Sequence, residues 1–184
     1  MSSLTPALFL DRDGVIHREV GYLSRPEQVE FLPGIFDLCR SAKALHFKLV
    51  IVTNQSGIAR GLYSEADFRK LMGWMIGEFR KAQIDIDGYY FCPHHPSQGV
   101  GIYRKECSDR KPQPGLIFQA AGEHGIDLQR SLLIGDRCSD IQAGAAAGIE
   151  NLFLLDGTEP GPCNLAGRYT TVSTLKNVVD FLVR

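Results

Sequence analysis

Nowhere does the sequence hold an apolar run near the ~20 residues that a membrane-crossing helix needs. Basic clusters are missing as well. Twenty Lys and Arg stand against 21 Asp and Glu, a formal net charge of -1, without runs of either sign. Nothing here could neutralise a nucleic-acid backbone or an anionic bilayer, so neither is expected as a partner. The opening residues, Met1-Ser2-Ser3-Leu4-Thr5-Pro6, carry neither the basic start nor the apolar core of a secretion signal. Cysteines are few and odd in number, five in all, which fits a reducing compartment better than a disulfide framework. A cytoplasmic location is therefore expected. Repeats and low-complexity tracts are also lacking. A chain of 184 residues can bury ~70% of its unfolded surface in one core, so a single domain over residues 1–184 is expected.

What is present is an alternation of strand and helix signals. Ala7-Leu8-Phe9-Leu10 reads as a first buried strand, and Lys48 to Val52, rich in β-branched residues, as a second. Between them, Ile35, Leu38, Cys39, Ala42 and Leu45 are spaced for one face of a helix beginning near Pro33. Ser64 with Asp67 three residues on looks like a capped start for a helix carrying Phe68, Leu71, Met72, Met75 and Phe79. Tyr89-Tyr90-Phe91 predicts a third strand, Leu116 to His124 a third helix, and Ser131 to Ile134 a fourth strand. Ile141 to Ala147 predicts a fourth helix, Asn151 to Leu155 a fifth strand, and Leu175 to Val183 a last helix. Such alternation implies an α/β fold, a Rossmann-like doubly wound parallel sheet with its ligand site outside the strands' carboxyl ends. Two long loops, Asp11 to Leu32 and Cys92 to Pro114, are candidates for function.

The polar signals fall where strands end. Asp11 and Asp13 follow the first strand, Thr53 and Asn54 the second, and Asp136 the fourth, with Asp140 opening the next helix. Lys111 lies in the second long loop. A parallel sheet brings all these ends to one edge. Gathered carboxylates repel one another and call for a cation; oxygen ligands with waters retained suit magnesium. One carboxylate could attack phosphorus, and a second, two residues on, could give and take a proton. Gly14 would relieve crowding where the backbone turns. Thr53 and Lys111 could compensate the oxygens of a transferred phosphoryl group. Taken singly, each feature is more often a turn, a cap or a surface charge. The ordered set is hard to produce that way.

Asp11-Arg12-Asp13-Gly14-Val15, Thr53-Asn54, Lys111 and Gly135-Asp136 through Asp140 together resemble the haloacid dehalogenase superfamily, over about residues 7 to 155. The resemblance implies a HAD-like fold with Asp11 as nucleophile and Asp13 as general acid/base. It also implies Thr53 and Lys111 on the phosphoryl group, and magnesium on Asp11, the main-chain carbonyl of Asp13, and Asp136, with Asp140 close behind. Thr53 to Gly61, Cys92-Pro93-His94-His95-Pro96 and Arg110 to Gly115 resemble, within it, the heptose bisphosphate phosphatase family, whose members lack a large cap domain. That implies a small sugar phosphate as partner and a pathway to bacterial surface glycans. Its substrate contacts correspond to Glu19, Val20, Gly21, Tyr22, Asn54, Gln55, Ser56 and Arg110, with Arg60 as a further candidate. Arg110 suits a second phosphate, because a guanidinium meets phosphate with two nitrogens. Histidinol-phosphate phosphatases share nearly all these motifs and are the alternative within the superfamily. A receiver domain is the alternative of another class, although its phosphorylated Asp ends the third strand, where Phe91-Cys92 stands here. A short capless chain is compatible with a monomer.

Cys92, His94 and Cys107 have zinc-site spacing. The family closes this loop with Cys-x-Cys, whereas here Cys107 is followed by Ser108 and Asp109. Asp109 could be the fourth ligand, His95 or water could complete the site, or the site could stand empty. Bound zinc would be structural, pinning the loop that presents Arg110 and Lys111. Cys39, Cys138 and Cys163 show no partner pattern and read as core or surface thiols. His17 reads as a polar loop residue that could reach substrate.

Overall fold

The computed structural model describes residues 4–156, 163–165 and 167–183. Its centre is β1 (Ala7–Leu10), four apolar residues with every side chain buried. Period-two alternation along a strand sends neighbours to opposite faces. Leu8 and Leu10 accordingly enter one core and Ala7 and Phe9 the other. β2 (Lys48–Asn54) repeats the pattern in register, with Leu49 and Ile51 beside the first pair and Val50 and Val52 beside the second. β3 (Gly88–Cys92), β4 (Leu132–Gly135), β5 (Asn151–Leu155) and β6 (Thr170–Val172) complete the sheet. All pairings are parallel, in the order β3-β2-β1-β4-β5-β6.

Helices cover both faces. α1 (Ile35–Ala44), α3 (Glu65–Lys81) and α6 (Leu175–Leu182) bury their apolar stripes in the core of Leu8 and Leu10. α4 (Gly115–His124) and α5 (Cys138–Ala146) cover the other face. The expected cap on α3 is present: Ser64 Oγ accepts from the Asp67 amide at 3.1 Å, and the Asp67 carboxylate accepts from the Ser64 amide at 3.0 Å. The two long loops hold only short 3-10 turns, at Pro26–Gln28 and Gly101–Tyr103, so no large cap domain is built among the described residues. No helix among them is long and apolar enough to cross a membrane.

Three elements differ from the sequence reading. α5 begins at Cys138 rather than near Ile141, because Arg137 is extended and its amide donates to the Asp140 carboxylate at 3.0 Å. That cap draws Asp140 into the first turn. A single helical turn, α2 (Ser56–Ala59), follows β2 within a Gly- and Ser-containing stretch too short for a periodic signal. β6 is an edge strand of two threonines and a valine, so no apolar run announced it.

Cys138 and Cys163 are joined by a disulfide, 25 residues apart with their α-carbons 5.2 Å from one another. This corrects their assignment as unpaired thiols and removes one support for a reducing compartment. The bond places Cys163 against the start of α5, and linear spacing does not show that proximity. Cys39, by contrast, is a buried core thiol, pushed up to about 12 by burial. Thiol titration of the unfolded, unreduced protein should find three reactive cysteines and five after reduction; five before reduction would disprove the bond.

Candidate active site

In this strand order the chain leaves β1 toward β2 and β3, then returns to β4 on the opposite side of β1. The crevice at such a reversal, at the strands' carboxyl ends, is where open α/β sheets bind ligands. Asp11 comes directly after β1 and its amide donates to the Ile134 carbonyl of β4 at 3.0 Å. Asp136 follows β4. Asp11, Asp136 and Asp140 are all buried, with carboxylate oxygens within 4.8 Å of one another.

Buried carboxylates require opposite charge. Lys111 supplies part of it. Its Nζ lies 2.9 Å from Asp11 Oδ1 and 2.5 Å from Asp140 Oδ1, and it donates to the Val52 carbonyl at 2.8 Å. Burial alone would lower the lysine; Asp11 and Asp140 more than reverse this and hold it above its ordinary value. The ammonium is therefore permanently charged. Asp140 is raised as well: burial raises its carboxyl, Lys111 opposes, and Asp11 raises it further, to about 6. Three carboxylates gathered around one ammonium are suited to receive a further cation. An octahedral magnesium at ~2.1 Å holds its oxygen ligands ~3–4 Å apart, so the hard-oxygen group fits that ion. Asp140 belongs to this group rather than lying behind it.

Gly14 explains itself here. Its φ is +79°, and a Cβ at this position would lie 2.2 Å from Asp136 Oδ2. Gly14→Ala should therefore cost about 1–2 kcal/mol from the left-handed backbone. It should also displace Asp136 and lower magnesium affinity by at least about tenfold, read by isothermal titration; unchanged affinity would remove Asp136 from the site.

Asp13 faces a ring of donors. Arg12 reaches both its oxygens, Nε to Oδ2 at 3.1 Å and NH2 to Oδ1 at 2.6 Å. Gln55 Nε2 donates to Oδ2 at 2.9 Å, and Thr53 Oγ1 is 3.5 Å from the same oxygen. The His17 ring is fully buried, its Nδ1 2.7 Å from the Arg18 carbonyl. A carbonyl only accepts, so Nδ1 carries hydrogen and Nε2 faces Asp13 Oδ1 at 3.3 Å. Burial pushes the Asp13 carboxyl up, but Arg12 and His17 outweigh it and hold the group well below the usual carboxylate range.

The remaining residues fall into three sets. Asn54 spends its side-chain amide on the Lys111 backbone, donating to its carbonyl and accepting from its amide, both at 3.0 Å. Gln55 donates to Asp13 and Thr53 and accepts from the Tyr63 hydroxyl at 2.7 Å. Glu19, Gly21, Tyr22, Ser56 and Arg110 line a cavity of about 550 Å³ in front of the carboxylates. Val20 is exposed beside it, and Arg60 stands at the rim, over the Tyr22 ring at 5.8 Å and bonded to Gln98 at 3.1 Å. Sequence reasoning missed Tyr63, Arg137 and Ser139, which also line the cavity, and Arg12, which is buried in its wall behind Asp13. Arg137 pairs with Glu19 at 3.2 Å, tying the first loop to the start of α5. Gly57 makes room for Tyr63, since a Cβ there would lie 2.3 Å from its ring.

In the second loop, His94 Nδ1 is 3.7 Å from Cys92 Sγ and 3.2 Å from Cys107 Sγ. A tetrahedral zinc places nitrogen and sulfur ligands about 3.6 Å apart, so the three fit that ion. Burial pushes the Cys92 thiol up to about 12. Asp109 Oδ2 is 3.6 Å from Cys107 Sγ, but Asp109 stands outside the compact three-residue group. His95 is engaged elsewhere: its Nδ1 accepts from the Ser97 and Gln98 amides at 3.2 and 3.0 Å. Arg110 NH1 donates to the His94 carbonyl at 3.0 Å, which couples this group to the cavity.

A doubly wound sheet of order 3-2-1-4-5-6 with this set at the reversal differs from the 2-1-3-4-5 order of receiver domains. Fold and site define a phosphatase of the haloacid dehalogenase superfamily. The HAD-hydrolase-like family model matches residues 108–177. The chain is 52% identical over 176 residues to a D-glycero-α-D-manno-heptose-1,7-bisphosphate 7-phosphatase of Burkholderia mallei, covering 96% of this chain and 93% of that one. A D-glycero-β-D-manno-heptose-1,7-bisphosphate 7-phosphatase of Yersinia pestis is 42% identical over 160 residues, covering 87% and 85%. Among solved structures, the D,D-heptose 1,7-bisphosphate phosphatase of B. bronchiseptica, complexed with magnesium and phosphate, superposes with a TM-score of 0.83 at 27% identity, covering 97% and 98%. The chain belongs to the heptose-1,7-bisphosphate 7-phosphatase family.

Proposed function

We propose that this chain removes the 7-phosphate of D-glycero-D-manno-heptose 1,7-bisphosphate by way of a phosphorylated Asp11. The observation that carries the reading is the buried Asp11–Lys111–Asp140 cluster at the sheet's reversal point. Lys111 fixes Oδ1 of Asp11, which leaves Oδ2 to attack phosphorus. As that bond forms, the phosphorus–sugar oxygen bond breaks, and Asp13, ionised in the free site and taking up a proton when the anionic phosphate binds beside it, gives that proton to the leaving oxygen. Water then attacks the acyl phosphate, Asp13 takes its proton, and Asp11 is restored. Thr53 Oγ and Lys111 Nζ compensate the phosphoryl oxygens. Magnesium, held by Asp11, Asp136, the Asp13 carbonyl and Asp140, would add charge stabilisation at the same oxygens.

The second phosphate of the substrate needs its own cationic site. Arg110 is lowered by burial and further by the charges of Arg60 and Arg137, so positive charge from three separate segments acts on the cavity mouth. A sugar phosphate between them would relieve that repulsion. Histidinol phosphate offers a cation there instead, which disfavours the alternative. Greater identity to the α-anomer relative than to the β-anomer one favours the α substrate. Phosphate release should be measured with both heptose bisphosphate anomers, fructose bisphosphate and histidinol phosphate, with and without magnesium. The α-heptose compound should lead, only with magnesium, and Asp11→Asn should lose at least about a thousandfold in kcat. Preference for histidinol phosphate would overturn the substrate, and a fully active Asp11→Asn would overturn the mechanism.

Cys92, His94 and Cys107, with Asp109 as fourth ligand, are proposed to hold structural zinc that braces Arg110 and Lys111. Protein purified without chelators should carry one zinc per chain. Stripping it should reduce activity even after magnesium is restored. Zinc-free protein of full activity would disprove this.

A further inference from the structure

The residue between the two catalytic aspartates has almost no surface: Arg12 is 1% exposed. A guanidinium taken from water demands specific partners. Arg12 gives Nε and NH2 to the two oxygens of a single carboxylate, that of Asp13. A fork on both oxygens sets the plane of a carboxylate as well as its place. The opposite side of the guanidinium is closed by the Phe68 ring, whose centroid is 5.2 Å from Cζ. Gln55, steadied by Tyr63, approaches the same carboxylate at 2.9 Å. Such a clamp exceeds what filling a core requires.

We infer that Arg12 is a positioning residue: it fixes the rotamer from which the Asp13 carboxyl serves the leaving oxygen and the attacking water, without touching substrate. The inference rests on the acid/base role given to Asp13 above. Lysine could keep the charge but not the two-nitrogen fork, and glutamine could keep one donor without the charge.

The test compares Arg12→Lys, Arg12→Gln and Asp13→Asn, in the full chain with magnesium. The substrates are the heptose bisphosphate, whose leaving oxygen needs a proton, and p-nitrophenyl phosphate, whose leaving group does not. Asp13→Asn should keep the rapid burst of nitrophenolate that reports Asp11 phosphorylation and lose later turnover at least about a hundredfold. Both Arg12 variants should copy that pattern more weakly. The burst should stay within about threefold, KM within about twofold, and kcat on the sugar should fall at least about tenfold. A burst and turnover that fall together, a change in KM alone, or full activity in Arg12→Lys would overturn the inference. If Asp13→Asn itself shows no split between burst and turnover, the acid/base reading fails first, and the two failures are distinguished.

Discussion

A lysine ammonium buried between Asp11 and Asp140 is the interaction on which the remainder of the site depends. Removing either partner would leave a charge in a dry interior, a cost of several kcal/mol. The lysine must therefore be delivered accurately, and it comes from a loop rather than from a strand. Three supports make that possible. The Val52 carbonyl receives the ammonium, Asn54 clasps the Lys111 backbone from both sides, and the Cys92–His94–Cys107 group ties the preceding loop down. Two of the three belong to the end of β2. The carboxyl end of that strand is thus chiefly a mount for Lys111.

A second layer forms around Asp13. Asn54 and Gln55 are neighbours in sequence, yet one faces the lysine loop and the other the acid/base. Alternation at the end of β2 produces that division. These side chains therefore orient Lys111 and Asp13, while Glu19, Gly21, Tyr22, Ser56 and Arg110 line the cavity in front of them.

The fold and the carboxylate cluster were legible because they depend on strand ends. Once Leu10, Val52 and Ile134 are seen to close apolar runs, Asp11, Thr53 and Asp136 must share an edge. Lys111 followed from the resemblance, since nothing local distinguishes a buried lysine from a solvated one. Arg12 was passed over for the same reason: its role depends on Phe68 and Gln55, distant in sequence and adjacent only after folding. The Cys138–Cys163 bond depends on how the chain returns after β5, and cysteine spacing does not encode that path. β6 lacks an apolar run because it lies at the sheet's edge, where two of its three residues face solvent. Local pattern reports burial and periodicity; it is silent on which distant groups neutralise one another.

With no large cap domain among the described residues, the proposed discrimination among sugar phosphates would fall to the cavity mouth. Arg60 comes from the end of α2, Arg110 from the zinc-type loop and Arg137 from the turn before α5. Each is held by a neutral or acidic group: Gln98, the His94 carbonyl and Glu19. Like charges gathered in this way destabilise the empty cavity. A ligand carrying a second phosphate gains both its own contacts and the relief of that repulsion. A ligand with one phosphate bound at Asp11 gains neither. On the proposed reading, charge held at the cavity mouth would favour a bisphosphate, and the three segments need only be held, by the sheet and the two long loops, at a fixed distance from Lys111.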